Sequence, residues 1–584
     1  MVSERSPRFS APVRRVLLGL AILLVLWVLA SGFVLLRSRA AAVNGLDRLD
    51  AAQEQLTAAE LLRGEGQEAL AAARHDFETA NERAGSFVLA PWKAVPLLRQ
   101  NVKSVEALTA AAGKVTAIAE RATAEAEKVL ALSPVTGPGR LDMLRQLEVV
   151  TGRAARQMRR VDLGPDFFLF GPLGDARDRF VDRLDQLRDA LGGARALAEG
   201  SERLLVGPRR YLVLAANNAE MRAGSGMLLS AGVATFANGN FSLGEFRPSA
   251  DFNLPAGAVP LPPELDALWG SFTPSQEWRN LATTPRFDVT APLAAEMWRA
   301  ATGEVVDGVL AVDPVALRAL LAAQGPINAV GRELNADNVI GFLLNDQYAG
   351  VSIQDSQAGR RDALGEVARA AVDTLNSRPW VSTDLVGELG NAGRGRHVLA
   401  WARDPVEQEA WSSGGVDGAL HEHSLSVSLL NVGANKLDQF IEVDGRIEVT
   451  EVDDGGHDVT VTLEMRNEAP TGLPSYIAGP HPERDLAEGE YQAVVAVSTP
   501  GFGSVATIEG LDHLLASGLD GPTKVAAAGD VRIARGATST VTVRFRLPDG
   551  VDELRLEPSA RVPPITWHFQ GRTFKDYAPE RLEW

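Results

Sequence analysis

Three things are scarce in this sequence, and each scarcity closes off a class of function. There is no cysteine among the 584 residues, so a disulfide framework, a thiolate zinc site and a thiol nucleophile are all excluded. Positive charge is outnumbered, with 58 Lys and Arg against 75 Asp and Glu. The resulting net charge of -17 argues against a nucleic-acid partner, because phosphate binding needs a basic face. Long apolar runs are limited to one, so at most one membrane span is expected. What is present suffices for folded cores: hydrophobic residues make up 45% of the chain. The length suggests about three or four structural units.

The single apolar run is Val16 to Leu36, bracketed by Arg14 and Arg15 before it and Arg37 and Arg39 after it. At about 1.5 Å per residue, roughly twenty apolar residues cross a ~30 Å hydrocarbon core, and this run has that length without a charge. A cleaved signal peptide is the competing reading, with an apolar core of about 7 to 15 residues and small residues at the cut. Here Arg37 and Arg39 stand between the run and the candidate cut at Ala40-Ala41-Ala42, so a retained anchor is expected. Arg5, Arg8, Arg14 and Arg15 face Arg37, Arg39 and Arg48 across the span, a small bias that favours a cytoplasmic N-terminus. The bulk of the chain is then extracytoplasmic at the cell membrane.

The predicted fold class is multidomain: a transmembrane helix, an α-helical stalk, an α/β (α+β) central domain and a C-terminal β-sandwich. Residues 1–15 read as a basic cytoplasmic tail and residues 16–36 as the transmembrane anchor. Residues 44–200 read as the stalk or bundle. Within it, residues 44–83 are rich in Ala, Glu, Gln, Leu and Arg, a long helix continuing from the span with its easiest bend at Gly64 and Gly66. Leu98, Val102, Val105, Ala112, Val115 and Ala119 form one stripe of a second helix, the seam of an antiparallel hairpin. Two further helices, over residues 140–160 and 172–200, flank the aromatic stretch 166–170, expected to staple its loop onto the bundle.

Residues 209–435 mix strands and helices. Asn238-Gly239 lies between two apolar runs and predicts a tight hairpin. Residues 308–312 read as a strand, Asp313 as an N-cap, Pro314 as the first helical residue and Gly325 as the helix stop. Helices are also expected over residues 335–345 and 360–376. In residues 436–584, alternating runs at 439–449, 458–465, 491–497, 539–546 and 553–556 are separated by turn clusters, which suggests the sandwich.

The stretch with most chemical potential is Asn217-Asn218-Ala-Glu220-Met-Arg222-Ala-Gly224-Ser-Gly226, directly after the first strand of the central domain. A glycine-rich turn after a strand can bind an anion through backbone N–H groups, with Glu220 and Arg222 as an acid and a guanidinium beside it. The dinucleotide fingerprint does not fit, because Leu229 occupies the third glycine position, and the nucleophile elbow does not fit, because Ala223 sits where a glycine should precede Ser225. The plain structural alternative is a Glu220–Arg222 pair fixing a turn, with glycines chosen for positive φ. His421 and His423 would share one face of a strand, but no third metal ligand is near in sequence, so a strand start is expected there.

The NNAEMRAGSG run, FRPSADF at residues 246–252, NLATTPRFDVTAPLAAEMW at 280–298, VDGVLAVDPVALRALLAAQGPI at 306–327 and NDQY at 345–348 together resemble the membrane-anchored domain-of-unknown-function family 4012. The likeness covers residues 209–438. Pro285-Arg286-Phe287 stands near where that family has Pro-Asp-Phe, which marks Arg286 as a further candidate and puts any role of that Asp in doubt. The resemblance implies a bacterial cell-envelope protein without a firm biochemical activity.

A more distant similarity, in the order of an Asp-Gly strand, a helix and an Arg-rich helix start, is to the LytR-CpsA-Psr wall-polymer ligases. That similarity implies a lipid-pyrophosphate cleft formed by Asp355, Arg360, Arg361 and Asp362, with Mg2+ as the expected ion. The ordinary alternative is a solvated helix face with a local salt bridge under ~1 kcal/mol.

The expected function is a membrane-anchored binding or assembly factor for envelope polysaccharide or lipid-linked glycan. The alternative is a phosphotransferase moving polyprenyl-pyrophosphate-linked glycopolymer to the cell wall. The expected partners are the lipid bilayer and an envelope glycan, a polyprenyl-phosphate lipid or an envelope protein.

Overall fold

The structure is a computed structural model that describes residues 11–55, 66–131, 136–166, 169–349, 363–511 and 513–584. It is multidomain, with an N-terminal helical region, a mixed α/β middle and a C-terminal region made mostly of β sheet. The chain divides into two compact units, Met1–Val129 with Val149–Arg195, and Leu130–Glu148 with Ala196–Trp584.

The first unit is built from α1 (Ala11–Gln55), α2 (Gln67–Ala84), a 3-10 segment (Phe87–Ala94), α3 (Pro96–Leu130) and parts of α4 (Gly137–Met158) and α5 (Gly171–Val206). Within α1, Leu26–Leu49 is long and apolar enough to cross a membrane, as a single-pass anchor or a signal sequence would be. Helix α2 runs back along α1 instead of extending it. Arg48 pairs with Asp76 at 2.8 Å, and further down the pair Ser38 Oγ donates to the Ala80 carbonyl at 2.8 Å. The close approach follows from small residues: a Cβ on Gly45 would lie 2.9 Å from the Phe77 ring. Phe77, Ala73 and Ala112 then form one buried cluster, and Val115, Ile118, Ala154, Met158 and Leu184 another. The apolar stripe expected on α3 is thus a helix–helix seam, with Val102, Ala112 and Val115 buried.

In the second unit, β1 (Arg209–Met221), β2 (Gly226–Ala237), β3 (Asn240–Leu243) and β4 (Arg247–Pro248) lead into α6 (Pro263–Trp269) and α7 (Phe287–Thr302). Then come β5 (Gly308–Val312), α8 (Pro314–Gln324), β6 (Ile327–Ala329), β7 (Arg332–Leu334), α9 (Val339–Leu344), α10 (Ala363–Ser377), α11 (Ser382–Arg394), β8 (Val398–Ala402) and α12 (Pro405–Ser413). The first sheet has the order β3-β2-β1-β5-β8, with β4 on β2. Strand β5 lies parallel to β1, and the other pairs are antiparallel. Ala291, Ala294, Met297 and Trp298 of α7 pack with Leu212, Leu214 and Val309 of the sheet.

Asn238 and Gly239 both have positive φ, 53° and 77°, as a two-residue primed turn requires. Asp313 caps α8 by accepting from Val315 N at 2.8 Å and Ala316 N at 3.1 Å. The helix expected from residue 335 starts only at Val339. Asn335 Oδ1 accepts from Asp337 N and Asn338 N, and Asn338 Oδ1 accepts from Asn335 N, so asparagine side chains hold residues 335–338 in a turn.

The C-terminal region comprises β9 (Ser424–Asn431), β10 (Ile441–Glu451), β11 (His457–Asn467), the short α13 (Ser475–Ala478), β12 (Tyr491–Pro500), β13 (Thr507–Glu509), β14 (His513–Asp520), β15 (Thr523–Ile533) and β16 (Thr538–Leu547). It closes with β17 (Glu553–Leu556), β18 (Thr566–Phe569), β19 (Arg572–Lys575) and β20 (Glu580–Glu583). Two six-stranded sheets result, ordered β13-β16-β11-β10-β18-β19 and β14-β15-β12-β9-β17-β20. Val427 and Leu429 of the second sheet share one core with Val461 and Leu463 of the first.

Strand β10 alternates buried and exposed residues, whereas β9 and β12 are buried throughout. The reason is that Leu430, Val494 and Ala496, on their other face, belong to the core of the α/β region.

Candidate functional site

Strand β1 ends among charged residues contributed by distant parts of the second unit. Glu220 pairs there with Lys436, whose side chain is only 3% exposed. The Lys436 ammonium lies 4.9 Å from the Tyr348 ring centroid and 5.1 Å from that of Tyr476. Burial works against the charged ammonium, but Glu220 outweighs it and the pKa is raised.

Behind this pair lies a second buried charge. Asp438 Oδ1 accepts from Tyr491 Oη at 2.7 Å and from Arg561 at 3.1 Å, while Oδ2 accepts from Met221 N at 3.0 Å and Asn431 Nδ2 at 2.8 Å. Arg561 also donates to the carbonyls of Asp438 and Ile441. Burial raises the Asp438 pKa, with Arg561 acting in the opposite direction. This network fastens the end of β1 to β9 and β12.

Arg222 does not pair with Glu220 to fix the turn. Its guanidinium donates to the carbonyls of Met221, Asn431 and Arg279 at 3.0, 2.7 and 3.0 Å, and to Asn280 Oδ1 at 3.2 Å. Burial lowers its pKa to about 10. The glycines are also explained differently from expectation, since neither Gly224 nor Gly226 has positive φ. Close backbone approach is the reason: a Cβ on Gly226 would lie 2.3 Å from the Asn217 carbonyl carbon and oxygen, and one on Gly224 would lie 3.2 Å from the Thr284 oxygen. The N–H groups of Arg222, Ala223 and Gly224 already donate to Ser225 and Ala282 carbonyls, so these three amides are spent within the protein.

A cavity of about 180 Å3 opens beside this end of β1, lined among others by Asn217, Glu220, Arg279, Gln347, Tyr348 and Tyr476. Asn217 Nδ2 donates to the Tyr348 hydroxyl at 3.3 Å, and Arg279 at the lining is held by Glu277 at 2.7 Å. The cavity therefore combines amide, carboxylate and guanidinium groups with two phenol rings.

Asn217 and Glu220 are thus brought together at one cavity, whereas Arg222, Gly224 and Gly226 are not part of its lining. Asn218 points elsewhere, donating to Asp313 at 2.8 Å and to the Ala560 carbonyl at 2.9 Å. Asp313 also accepts His397 Nδ1 at 2.6 Å. Arg286 is engaged by Asp520 at 2.9 Å and Asp288 at 3.1 Å. Asp355, Arg360, Arg361 and Asp362 lie outside the described residues.

His421 and His423 immediately precede β9, and no group of three His, Asp or Glu side chains able to hold a metal ion occurs among the described residues. Lys436, Asp438, Tyr476 and Arg561 were not found by reading the sequence. They are scattered over 126 positions of sequence, and only the fold brings them to the end of β1.

A helical N-terminal region, a mixed α/β middle and a C-terminal pair of sheets thus meet the definition of a multidomain chain with one apolar N-terminal helix. A family model described as "Protein of unknown function (DUF4012)" matches residues 206–348, which takes in β1, the glycine turn, α8 and Tyr348. No curated protein and no solved structure matches the chain.

Proposed function

We propose that this chain is a membrane-anchored, extracytoplasmic envelope protein that binds a sugar unit of an envelope polysaccharide or lipid-linked glycan in the cavity beside Tyr348. The observation that carries this reading is the lining itself. Asn217, Glu220 and Arg279 offer donors and acceptors suited to hydroxyl groups, and Tyr348 and Tyr476 offer ring faces suited to the C–H face of a pyranose. The volume of about 180 Å3 is below the ~300 Å3 of a pocket for a drug-sized ligand, which suits a single sugar ring.

A phosphotransferase of the wall-polymer ligase type is the weaker reading. It rests on Arg360 and Arg361, which lie outside the described residues, and the other two candidate arginines, Arg222 and Arg286, have protein acceptors already. The test is calorimetric titration of the full chain in nanodiscs with disaccharide fragments released from envelope polysaccharide. Binding that weakens roughly tenfold in Tyr476→Ala and in Arg279→Ala supports the proposal. If no fragment binds while polyprenyl phosphate does, the sugar-binding reading is wrong and the phosphotransferase reading gains.

A further inference from the structure

The first unit carries a feature that the cavity does not explain. Its 3-10 segment, Phe87–Ala94, is tied to the apolar helix at two points. Trp27 Nε1 donates to the Val88 carbonyl at 2.8 Å, and the Trp27 and Trp92 rings stack with centroids 4.5 Å apart. Ser31 Oγ also reaches the Val88 carbonyl, at 3.4 Å. The charges Arg37, Arg39, Asp47 and Arg48 within Leu26–Leu49 put the outer end of the uncharged apolar run at Leu36, which Trp27 and Ser31 precede by nine and five positions. At about 1.5 Å per residue, Val88 therefore lies roughly 7 to 14 Å inward from the outer end of that run.

What this segment presents is apolar. Phe87 is 86% exposed, and Val95 is exposed beside it. Phe170, just before α5, is exposed as well, and its N–H donates to Asn101 Oδ1 in the first turns of α3 at 2.8 Å. On α1 the exposed side chains at this level are Leu29 and Phe33. A water-facing end of a helical bundle has no physical reason to gather three exposed phenylalanines.

The charges are arranged to match. Lys93, the one charged residue of the segment, reaches away along α3 to Glu106 at 2.6 Å. Arg37, just beyond the apolar run, folds its guanidinium over the Phe33 ring at 4.9 Å, and Arg99 and Lys103 are exposed on the first turns of α3. Long cationic side chains beside apolar surface place their heads at phosphate level while their stems stay in lipid.

We infer that the end of the first unit formed by Phe87, Trp92, Val95 and Phe170 is a lipid-inserting foot, seated in the outer leaflet of the same bilayer that α1 crosses. The occupant of this apolar surface is acyl chain. The surface is continuous with the exposed face of α1, and the inward distance of the segment, roughly 7 to 14 Å, overlaps the ~5 to 10 Å burial of interfacial elements. The inference rests on the anchor reading of α1 and adds to it. A lone span leaves the following helices free to tilt, whereas a span with a foot two segments later fixes the unit's orientation at the membrane.

Because the chain has no cysteine, single-cysteine variants give a direct test. Leu29→Cys, Phe87→Cys, Phe170→Cys and Asp189→Cys, each labelled with a nitrobenzoxadiazole dye, are reconstituted as full chains in phosphatidylcholine–phosphatidylglycerol vesicles containing brominated acyl chains. Leu29 reports the anchor and Asp189, on an exposed part of α5, reports water. The expected result is loss of emission at positions 29, 87 and 170 and none at 189. Quenching at 29 with 87 and 170 behaving like 189 overturns the foot and leaves the anchor standing. No quenching at 29 removes the anchor reading itself. All four replaced side chains are exposed, so the variants retain the packed seams of the unit.

Discussion

Asp438 and Arg561, 123 residues apart in the chain, form an ion pair of 3.1 Å in which neither side chain reaches solvent. Removing one member leaves a charge in a low-dielectric interior, a change worth about 3 to 5 kcal/mol, whereas replacing both by apolar groups can be close to neutral. Arg561→Met should therefore lower the thermal unfolding midpoint of the second unit strongly, and adding Asp438→Leu should recover only the part due to the uncompensated charge, because Tyr491, Met221 N and Asn431 also lose their acceptor. A loss in the double variant equal to the sum of the losses in Arg561→Met and Asp438→Leu alone, measured by thermal unfolding in detergent, would mean that the pair is not coupled.

The two glycines of the turn after β1 separate by what stands over them. Gly226→Ala sets a methyl group 2.3 Å from backbone atoms of Asn217, which must move, while Gly224→Ala meets its nearest atom at 3.2 Å. Overpacking of the first kind typically costs about 1 to 3 kcal/mol. Gly226→Ala should be the more destabilised of the two and should also weaken sugar binding through displaced Asn217. Similar unfolding midpoints for both variants would contradict this.

Lys436 supplies a test in alkaline solution. Burial opposes its charge and Glu220 overcomes that, so its folded-state pKa is above the ordinary 10.5. A raised pKa contributes stability that is present below 10.5 and lost as pH rises through the folded value. In Glu220→Gln burial is opposed only by Tyr348 and Tyr476, the folded pKa falls below the unfolded one, and stability should rise with pH up to the ordinary lysine range. Unfolding midpoints recorded from about pH 8 to 11 should thus slope upward in the variant and not in the parent. Parallel curves would refute the assignment.

Glu296 on α7 is bridged by Arg403 at 2.8 Å and Arg299 at 2.9 Å, hydrogen bonds that hold its pKa below 4.5. The folded state then binds fewer protons than the unfolded state near the carboxylate range. Its contribution is complete above about pH 4.5 and lost as pH falls through the depressed value. Because both partners are well exposed, Glu296→Gln should cost no more than about 1 kcal/mol at neutral pH, with the difference from the parent closing in acid. A difference that widens on acidification would reverse the sign proposed.

What could be read without the fold was whatever depends on neighbours in sequence. The Asn238-Gly239 turn, the Asp313 cap with Pro314, and the alternation in β10 are set by local backbone chemistry, and each forms where expected. The spacing of Glu220 and Arg222 suggests that they pair with each other, and the structure gives each a different partner. Lys436 reaches Glu220 from 216 positions away, and Arg222 is held by carbonyls on β9 and the segment after α6. A buried ion pair between distant segments leaves no periodic trace. The antiparallel return of α2 along α1 leaves no local signal for a related reason: its contacts, Gly45 with Phe77, Arg48 with Asp76 and Ser38 with Ala80, join residues about 30 to 40 positions apart.

Strand β9 lies between β12 and β17, and Arg561 comes after β17. A ribosome delivers these pieces in order, so the nascent middle region must wait through more than a hundred codons with Asp438 uncompensated and one edge of β9 unpaired. Quality control during synthesis therefore has a long window in which to act on this polypeptide. A message truncated before codon 561 should yield a product that proteases clear, however intact its earlier segments are.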